Sequence, residues 1–394
     1  MEKYTISQAC SLHARIGWQG LTKKEYLNDG DFYLVTGVDF SDGKIDFQHC
    51  HYVAQERYEQ DEHIQLKPLD VLVTKDGTIG KVAIVESLDK PATLNSGVFV
   101  VRPNDPKDLL PEFLVFALRS GHFSRFIEQI KVGCTIAHLN QEKFLKYEIP
   151  HISVSQQKHI IAVLSHAEAT IKARQQQLQQ LDELVKARFV EMFGDCRNNP
   201  MHWPVKRLED VAQVGSSKRV FVEELQETGI PFYRGTEVGT LAEGKPICPE
   251  LFITEAHYNE LCKATGAPQP GDLLMPSICP DGRIWLVDSD APFYFKDGRV
   301  LWVHNIANEY DPVFLLYTLK DRIMTDYLSI ASGTTFAELK IFALKQCQVF
   351  DVPINKQKQF AEFIRHTDKS KVAVQAALDE AQLLFDSLMQ KYFG

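Results

Sequence analysis

The sequence predicts an α+β protein in which two mixed α/β domains are joined by two long helices that pair as an antiparallel coiled coil, with an internal pseudo-twofold duplication. Three observations support this fold class. Matching segments recur about 200 residues apart, short β-branched runs alternate with turn residues, and two long amphipathic stretches contain neither glycine nor proline. We expect the domains at residues 1–153 and 197–353, and the helices at residues 154–196 and 354–394.

The duplication is visible as pairs of matching segments in the same order. Residues 67–73 match 269–275, and residues 80–85 match 282–287, both at a shift of 202. Residues 133–139 match 333–339 at a shift of 200, and the Phe-Gly pair at 193–194 recurs at 393–394. Because the order is kept and the shift drifts so little, a chance coincidence of strand and helix patterns does not explain the match.

Within each copy the pattern is that of a mixed domain. The segments 71–73, 82–85 and 98–101 are short β-branched runs bounded by Asp, Gly and Pro, and they are therefore predicted strands. Residues 111–120 begin at a proline and carry apolar side chains at helical spacing, which predicts a short helix. Pro150 and Pro353 are expected to end the globular parts.

Each long amphipathic stretch carries a heptad seam of alternating three- and four-residue spacing. Arg174 and Arg188 interrupt the first seam, and Thr367 and Lys371 interrupt the second. The residues expected to pair the helices are Leu164, Ile171, Leu178, Leu181, Val185, Ile364, Val374, Leu378, Phe385 and Leu388. A helix of about 40 residues is about 60 Å long and cannot bury its seam alone. We therefore expect the copies to pair antiparallel, with Leu178 facing Leu378 and the polar seam residues helping to fix the register; the alternative is that each helix packs only on its own domain.

Composition limits the classes of function. The net charge of −9 counts against nucleic-acid binding without deciding it, because phosphate contacts depend on local Lys and Arg. The eight cysteines form no Cys-x-x-Cys pair, and the residues of His49-Cys50-His51 would alternate between the faces of a strand, so we expect neither a metal site nor a disulfide framework. No apolar run is long enough to span a bilayer and the first residues do not resemble a signal peptide, which predicts a cytoplasmic protein.

The sequence carries no recognisable catalytic motif. Residues 76–82 look like a phosphate-binding loop but have the wrong spacing, so a turn seeded by Asp76-Gly77 is predicted instead. There is no Asp/Asn-Pro-Pro-aromatic motif of amino-methyltransferases, no Gly-x-Ser-x-Gly elbow and no His-Glu-x-x-His helix. A duplicated catalytic site should also leave matched residues, yet His138 corresponds to Glu338. The sequence therefore favours binding over catalysis, and we expect the chain to hold no cofactor of its own.

These features together resemble the specificity subunit of type I restriction–modification systems, and the resemblance covers essentially the whole chain. It is carried by the Trp-Pro opening at 203–212, by residues 70–81, by residues 133–139 with the downstream Pro150, and by the helix openings at 156–158 and 356–358. The order of these segments, their duplication and the Phe-Gly helix ends together make the resemblance specific.

The resemblance implies that each domain reads one half of a split DNA sequence and that the helix pair sets the gap. It also implies that two modification subunits dock on the helices and, with S-adenosylmethionine, methylate adenine in each half-site. Restriction subunits would add ATP- and Mg-dependent translocation and cleavage, as a defence against phage. The first domain departs from the pattern because it lacks the Trp-Pro opening. The polar turns at 74–77 and 276–279 also differ, which implies two unlike half-sites and an asymmetric target.

Candidate DNA contacts are polar, cationic or aromatic side chains in turn-like segments, since such side chains can reach groove edges and phosphates. They are Arg15, Trp18, Lys75, Thr78 and Lys81 in the first domain, and Lys218, Arg219, Arg234 and Arg283 in the second. The alternative for each is a solvated surface charge or, for Trp18, a core position. Two other classes stay open for the whole chain: a protein scaffold that bridges two partners without binding DNA, and a self-contained DNA methyltransferase.

Overall fold

The computed structural model describes residues 2–17, 20–131, 138–333 and 337–394. The chain forms two compact units, one made of residues 1–176 and 375–394, and the other of residues 177–374. Each unit therefore contains one globular domain and part of each long helix.

The first domain contains eleven strands and five short α-helices among its described residues. In chain order they are β1 Lys3–Thr5, α1 Ile6–Ala9, β2 Cys10–His13, β3 Phe32–Val35, β4 Phe40–Ser41, β5 Lys44–Ile45, β6 His51–Val53, α2 Gln55–Glu59, β7 Val71–Thr74, β8 Val82–Ile84, β9 Ala92–Leu94, β10 Val98–Pro103, α3 Pro111–Leu118, α4 Gly121–Lys131, α5 Gln141–Leu145 and β11 Glu148–Pro150. Single 3-10 turns lie at Lys23–Glu25 and Glu62–Ile64.

Six of these strands form the main sheet, in the order β2-β10-β7-β8-β5-β4. The central strands β2, β10, β7 and β8 pair antiparallel, a second sheet has the order β6-β3-β9, and β1 pairs with β11. Strand β7 is buried throughout because its alternating side chains enter two cores. Val71 and Val73 pack with the helical layer of α3 and α4, whereas Leu72 packs with Val35 and Leu94 of the second sheet.

The first long helix, α6, runs from Val154 to Phe193, and the second domain follows it. Its elements are β12 Val205–Arg207, α7 Leu208–Val211, β13 Gln213–Gly215, β14 Ile230–Tyr233, α8 Gly235–Ala242, β15 Phe252–Ile253, α9 Glu255–Thr265, β16 Leu273–Pro276, β17 Trp285–Leu286, β18 Tyr294–Phe295, β19 Val300–His304, α10 Pro312–Ile330, β20 Ala331–Ser332, β21 Glu338–Leu339, α11 Ile341–Lys345 and β22 Gln348–Phe350. A 3-10 turn lies at Val222–Glu224, and the second long helix, α12, spans Ile354–Phe393.

The predicted duplication is confirmed in the strand order of the two domains. The central order β2-β10-β7-β8 recurs as β13-β19-β16-β17, the sheet β6-β3-β9 recurs as β15-β14-β18, and the pair β1-β11 recurs as β12-β22. The register repeats as well, because Val71 pairs with Val101 and Leu273 pairs with Val303. The mixed α/β class predicted from the sequence is therefore correct, with the same sheet framework built twice.

A tight turn before β7 and β16 shows how the copies repeat a motif with different residues. The carboxylate of Asp70 accepts a hydrogen bond from the Lys67 amide at 2.8 Å, and that of Asp272 accepts one from the Gln269 amide at 2.9 Å. The residue preceding each aspartate has a positive φ, 71° at Leu69 and 97° at Gly271. The second copy therefore uses glycine where the first holds a leucine in the left-handed region.

Burial along the two long helices follows the predicted seams. Among the residues predicted to pair the helices, Leu164, Val185, Ile364 and Val374 are buried, and Ile171, Leu178, Leu181, Leu378, Phe385 and Leu388 are half-buried. The predicted helical segments 154–196 and 354–394 contain α6 and α12, which end at Phe193 and Phe393. The first helix stops where Gly194 adopts a φ of 79°, a conformation typical of the residue after a helix.

Within the second unit, the end of α6 and the beginning of α12 run antiparallel. Asp182 forms an ion pair with Lys371 at 2.6 Å, and Phe189 lies against Phe360 with ring centroids 5.5 Å apart. As the residue number increases along α6 from 182 to 189, the number of the contacting residue on α12 decreases from 371 to 360, so the two helices run in opposite directions. Lys371 is one of the polar residues that interrupt the seam, so here an interruption forms an ion pair between the helices.

Within the first unit, Ile160 and Leu164 of α6 share a core with Met389 and Phe393 of α12. The beginning of one long helix therefore packs with the end of the other, and both contact the domain. Leu178 and Leu378 belong to different units, and their predicted pairing stays a prediction.

A buried glutamine attaches each long helix to its domain. The side-chain oxygen of Gln357 accepts from the Asp311 amide at 2.8 Å, and its amino group donates to the carbonyls of Glu309 at 3.0 Å and Val352 at 2.7 Å. Gln157 makes the same three bonds in the first unit, to the Leu110 amide and the carbonyls of residues 108 and 152. Both side chains are fully buried. This contact explains why the helix openings at 156–158 and 356–358 recur in the sequence.

Other features expected from composition can be compared with the described residues. Within them, no helix has the length and apolar character needed to cross a membrane. The same part of the chain shows no group of three or more His, Cys, Asp or Glu placed to hold a metal ion. The cysteines described there are all unpaired.

Candidate nucleic-acid interface

In the first domain, the turn between β7 and β8 carries three of the predicted contact residues. The buried Thr74 closes this turn, because its hydroxyl donates to the Thr78 carbonyl and accepts from the Lys81 amide at 2.9 Å. Gly77 and Gly80 have φ values of 69° and 83°, which a turn at Asp76-Gly77 requires. Thr78 and Lys81 are exposed on the turn. The predicted turn at this place is confirmed.

Lys75 occupies a different environment in the same turn. Its ammonium lies over the ring of Phe99, 5.2 Å from the centroid, and the side chain is half-buried. Burial lowers the pKa of Lys75, while the neighbouring Asp76 acts in the opposite direction. Asp76 also forms an ion pair with His138. Lys75 is thus a partly desolvated cation at the end of an interior strand, and its contact with Phe99 leaves it little freedom to move toward a phosphate.

The same three segments meet at this end of the sheet in both copies. In the first domain the Lys75 amide donates to Gly97 at 2.8 Å, and the Leu139 amide donates to Lys75 at 2.9 Å. In the second domain the Ser277 amide donates to Arg299 at 2.9 Å, and the Leu339 amide donates to Ser277 at 2.7 Å. The backbone arrangement repeats, whereas the side chains that it presents differ.

Arg15 is buried and serves the structure of its own domain. Its exposure is 1%, and its guanidinium donates to the carbonyls of Leu94 at 2.8 Å and Arg57 at 3.2 Å, and to the hydroxyl of Thr93 at 3.2 Å. Burial, reinforced by the charge of Arg57, lowers the pKa of Arg15. A groove contact by Arg15 does not fit this placement, so we do not carry it into the proposed interface. Trp18 lies outside the described residues.

In the second domain, Lys218 and Arg219 lie on an exposed segment held against the β18–β19 turn. The Lys218 amide donates to the Tyr294 hydroxyl at 3.0 Å, and the Ser216 hydroxyl donates to the Val300 carbonyl at 2.7 Å. The Nε atom of Arg219 donates to Asp297 at 3.1 Å. This segment and the β18–β19 turn enclose a cleft of about 300 Å³, which we call the second-domain cleft. Its lining residues are Arg219, Val220, Phe221, Val222, Lys296, Asp297 and Arg299.

Arg234 is occupied by carboxylates of its own domain. Its guanidinium bonds Glu237, with Nε 3.0 Å from the carboxylate, and pairs with Glu250 at 3.1 Å. The hydrogen bonds to Glu237 raise the pKa of Arg234 above its usual range. Arg234 occupies the N-cap position of α8, where Glu237 accepts from both its backbone amide and its guanidinium, and it therefore offers no unpaired cation.

Arg283 is also surrounded by groups of its own domain. Its Nε lies 2.8 Å from Asp281 and its Nη1 lies 3.6 Å from Glu243. A side-chain carbon at Gly239 would lie 3.0 Å from that Nη1, so glycine gives the guanidinium room against α8. The two carboxylates leave Arg283 little net positive charge to offer a phosphate.

Sequence reasoning missed several residues of these surfaces. Lys296 and Arg299 line the second-domain cleft, and Phe221 and Val222 expose 58% and 75% of their surface beside them. In the first domain, Lys23 is exposed on the corresponding 3-10 turn. One signal was available, since residues 95–101 match 297–303 at the shift of 202, which places residues 296–299 directly before a predicted strand.

Comparisons with known proteins give the family. The family model described as the type I restriction modification DNA specificity domain matches twice, at residues 16–183 and 200–381. A protein of Methanocaldococcus jannaschii named as the type I restriction enzyme MjaX specificity subunit is 25% identical over 376 residues, which cover 89% of this chain and 83% of that protein. The MjaVIII specificity subunit of the same organism is 22% identical over 264 residues, 62% of this chain and 60% of that protein.

Two solved structures share the fold. The S subunit of a type I restriction–modification system from M. genitalium has a TM-score of 0.56 at 17% identity, with 100% of this chain and 96% of that chain covered. A chain from a study of the assembly and conformational transition of a type I restriction–modification system has a TM-score of 0.60 at 17% identity, with 100% and 97% covered. The two family matches span most of the sequence, one in each copy of the duplication. The chain therefore belongs to the family of type I restriction–modification DNA specificity subunits, the non-catalytic components that recognise DNA for these systems.

Proposed function

We propose that each globular domain reads one half of a bipartite, asymmetric DNA sequence through the end of the main sheet where the β7–β8 turn and its counterpart after β16 lie. The observation that carries this proposal is the repeated backbone at that end of the sheet with unlike side chains. The amides of Lys75 and Ser277 make equivalent bonds, yet one turn presents Thr78 and Lys81, and the other is followed by the paired Arg283. A shared frame with different side chains suits two different half-sites, because base identity is read by side chains in the grooves.

The remaining candidate contact residues form two groups, those exposed at turns and those held by contacts within their own domain. Thr78, Lys81, Lys218 and Arg219 are exposed at turns and support direct contact with DNA. Lys296 and Arg299 add cations to the second-domain cleft. Lys75, Arg234 and Arg283 are held by their own domains, and we assign them to shaping the surface.

We further propose that the chain acts in the cytoplasm within a complex containing two modification subunits that dock on the long helices. These subunits would bring S-adenosylmethionine and methylate adenine in each half-site, and restriction subunits would bring ATP and Mg²⁺. The family supports such partners, and the seam positions Leu164 and Ile364 leave the opposite faces of their helices exposed. We infer that the length of the helices sets the gap between the half-sites.

A binding titration tests the proposal. The chain, with and without its modification subunits, is titrated with DNA at two salt concentrations. We expect the assembled complex to bind with an affinity that falls steeply with salt, by a slope of about 0.9 per phosphate contact. A scaffold that does not bind DNA would show no such dependence, and methylation by the purified chain alone would indicate a self-contained methyltransferase.

Two changes to the chain test the separate roles of the domains and the long helices. Replacing residues 1–150 with the domain of another family member should change one half of the methylated sequence, and a change in both halves would contradict the division. Inserting one heptad into α6 should lengthen the gap and leave both half-sites unchanged. An unchanged gap, measured by methylome sequencing, would contradict the role of the helices in spacing.

A further inference from the structure

The second-domain cleft contains an arginine that is fixed at one end and open at the other. Arg219 is bound through Nε to Asp297 at 3.1 Å, and its side chain is 68% exposed whereas that of Asp297 is 17% exposed. In the described part of the chain, no other side chain bonds the two terminal amino groups of Arg219. The carboxylate thus restricts the guanidinium while leaving a pair of parallel donors free.

The other arginine of the cleft is arranged differently. Arg299 pairs through Nη1, a terminal amino group, with Glu338, and Glu338 also pairs with Lys340 at 2.7 Å. Its terminal donors are therefore partly used within the domain. Arg219 thus keeps both terminal amino groups for a planar acceptor, whereas Arg299 keeps the Nε and Nη2 atoms of its guanidinium.

The surroundings of Arg219 favour a base over a phosphate. The pair with Asp297 is electrically neutral, so its attraction for a phosphate is weaker than that of an unpaired cation. Phe221 and Val222 expose large apolar surfaces beside it, and these suit base edges and thymine methyl groups better than a hydrated backbone. Lys296 and Arg299 are the cations of the same cleft that suit phosphates, because Glu338 is shared between Arg299 and Lys340 and those three side chains keep a net positive charge.

Guanine has the chemistry that matches this arrangement. Its N7 and O6 atoms are two adjacent acceptors on the major-groove edge, and an arginine reads them with two parallel hydrogen bonds. A phosphate can also accept such a pair, but it gains from net positive charge, which Asp297 removes. The remaining acceptors of a base pair do not stand side by side in this way.

We propose that Arg219, oriented by Asp297, reads a guanine in the half-site of the second domain, with Phe221 and Val222 covering the contact. This inference rests on the proposed function and names one base and one positioning residue for it. Arg219 touches the base, whereas Asp297 acts through Arg219.

The first domain has no equivalent of the Arg219–Asp297 ion pair at the matching positions. Asn95 stands where Asp297 stands in the second copy, and its side-chain oxygen accepts from the Gly97 amide at 2.9 Å. The equivalent 3-10 turn begins after Thr22 in the first copy and after Phe221 in the second. An uncharged side chain does not form an ion pair with an arginine, so we expect the guanine contact in the second half-site only.

The test uses the full chain assembled with its modification subunits, on the sequence that methylome sequencing assigns to the wild-type complex. Arg219→Ala should relax the methylated motif at one G·C pair of the second half-site and lower affinity for the original site about 5- to 150-fold. Placing 7-deazaguanine at that pair, which removes N7, should weaken wild-type binding but have little further effect on the variant. Inosine, which keeps N7 and O6, should preserve wild-type binding.

Two further variants distinguish recognition of a base from sequence-independent attraction for DNA. Arg299→Ala should weaken binding to all sequences evenly and leave the motif unchanged. Asp297→Ala should lower the preference at the same G·C pair as Arg219→Ala, with no further loss of preference in the double variant. A merely structural role of Asp297 would lower stability without changing preference at one base pair, and thermal unfolding of each variant measures that effect.

The inference is overturned if Arg219→Ala weakens binding evenly across sequences, or if 7-deazaguanine leaves wild-type affinity unchanged at every guanine of the second half-site. These outcomes differ from failure of the proposed function. In that case the wild-type complex itself would show no sequence preference and no dependence on the second domain.

Discussion

Replacing the buried Gln357 with leucine tests how the long helix is fixed to the second domain. The wild-type side chain receives one hydrogen bond from the Asp311 amide at 2.8 Å and donates two, at 3.0 Å to Glu309 and at 2.7 Å to Val352. Gln357 is fully buried, so water does not replace these bonds readily. Leucine fills a similar volume and isolates the loss of polar contacts from the creation of a cavity.

The magnitude follows from the three bonds. A typical internal hydrogen bond contributes about 0.5–1.5 kcal/mol, and a buried group left without a partner costs about 1–3 kcal/mol. Since one amide and two carbonyls lose their partner together, and the new apolar side chain offsets part of the loss, we expect the free energy of unfolding of the second unit to fall by about 2–4 kcal/mol.

Hydrogen exchange measures this effect at the right place. A chain with two compact units need not unfold in one step, so a single global transition would blur the result. The Asp311 amide reports directly on the lost acceptor, and its protection should decrease in Gln357→Leu. Gln359 lies exposed on the same helical turn, and Gln359→Leu is the matched control that should leave this amide protected. Equal effects of the two substitutions on stability and on Asp311 exchange would refute the reasoning.

Two further predictions concern the second unit. Gly271→Ala should lower the free energy of unfolding of this unit by about 1–2 kcal/mol in denaturant titration, because alanine is disfavoured at a φ of 97°. The added Cβ would meet only Pro312 at 3.8 Å, so no steric clash adds to this conformational cost. The control is Gly215→Ala, where φ is not in the left-handed region, and a loss for Gly271→Ala no larger than that of the control would contradict this account. Burial lowers the pKa of His304, which stacks on Trp302 at 3.8 Å, although Asp272 acts in the opposite direction. The unfolded state therefore binds the proton more readily than the folded state. The stability that depends on neutral His304 is fully present above pH 6.5 and is lost as the pH falls toward the lower pKa of His304 in the folded state. We expect His304→Asn to flatten the loss of stability between pH 7 and pH 5, and an unchanged profile would show that His304 does not titrate in that range.

The long helices were the part of the fold most readily predicted. Helical periodicity and freedom from glycine and proline are local properties, so the seam positions from Leu164 to Leu388 could be assigned before any tertiary contact was known. The pairing of Lys371 with Asp182 was not assigned, because residue type alone does not identify the partner of a charge in a seam. The buried state of Gln157 was also unpredicted, since a polar residue at a helix opening is ordinarily exposed.

The candidate contacts were predicted less well. Arg15, Arg219 and Arg234 are the same residue type in similar turn-like segments of the sequence. In the structure Arg15 is buried, Arg234 is paired with two carboxylates, and Arg219 keeps its terminal donors exposed. The exposed Phe221 was missed because an aromatic residue is ordinarily assigned to a core.

The order of the residues alone shows that this protein is a duplication with two helical seams, and the resemblance built on those features led to the correct family. Those properties reside in order and periodicity, which a linear chain displays directly. Which of the cations keep unused donors follows from the folded structure, because it depends on burial and on carboxylates such as Asp297 that approach from distant parts of the chain. A side chain's type fixes what it can bind, whereas its folded surroundings determine whether that capacity is already used.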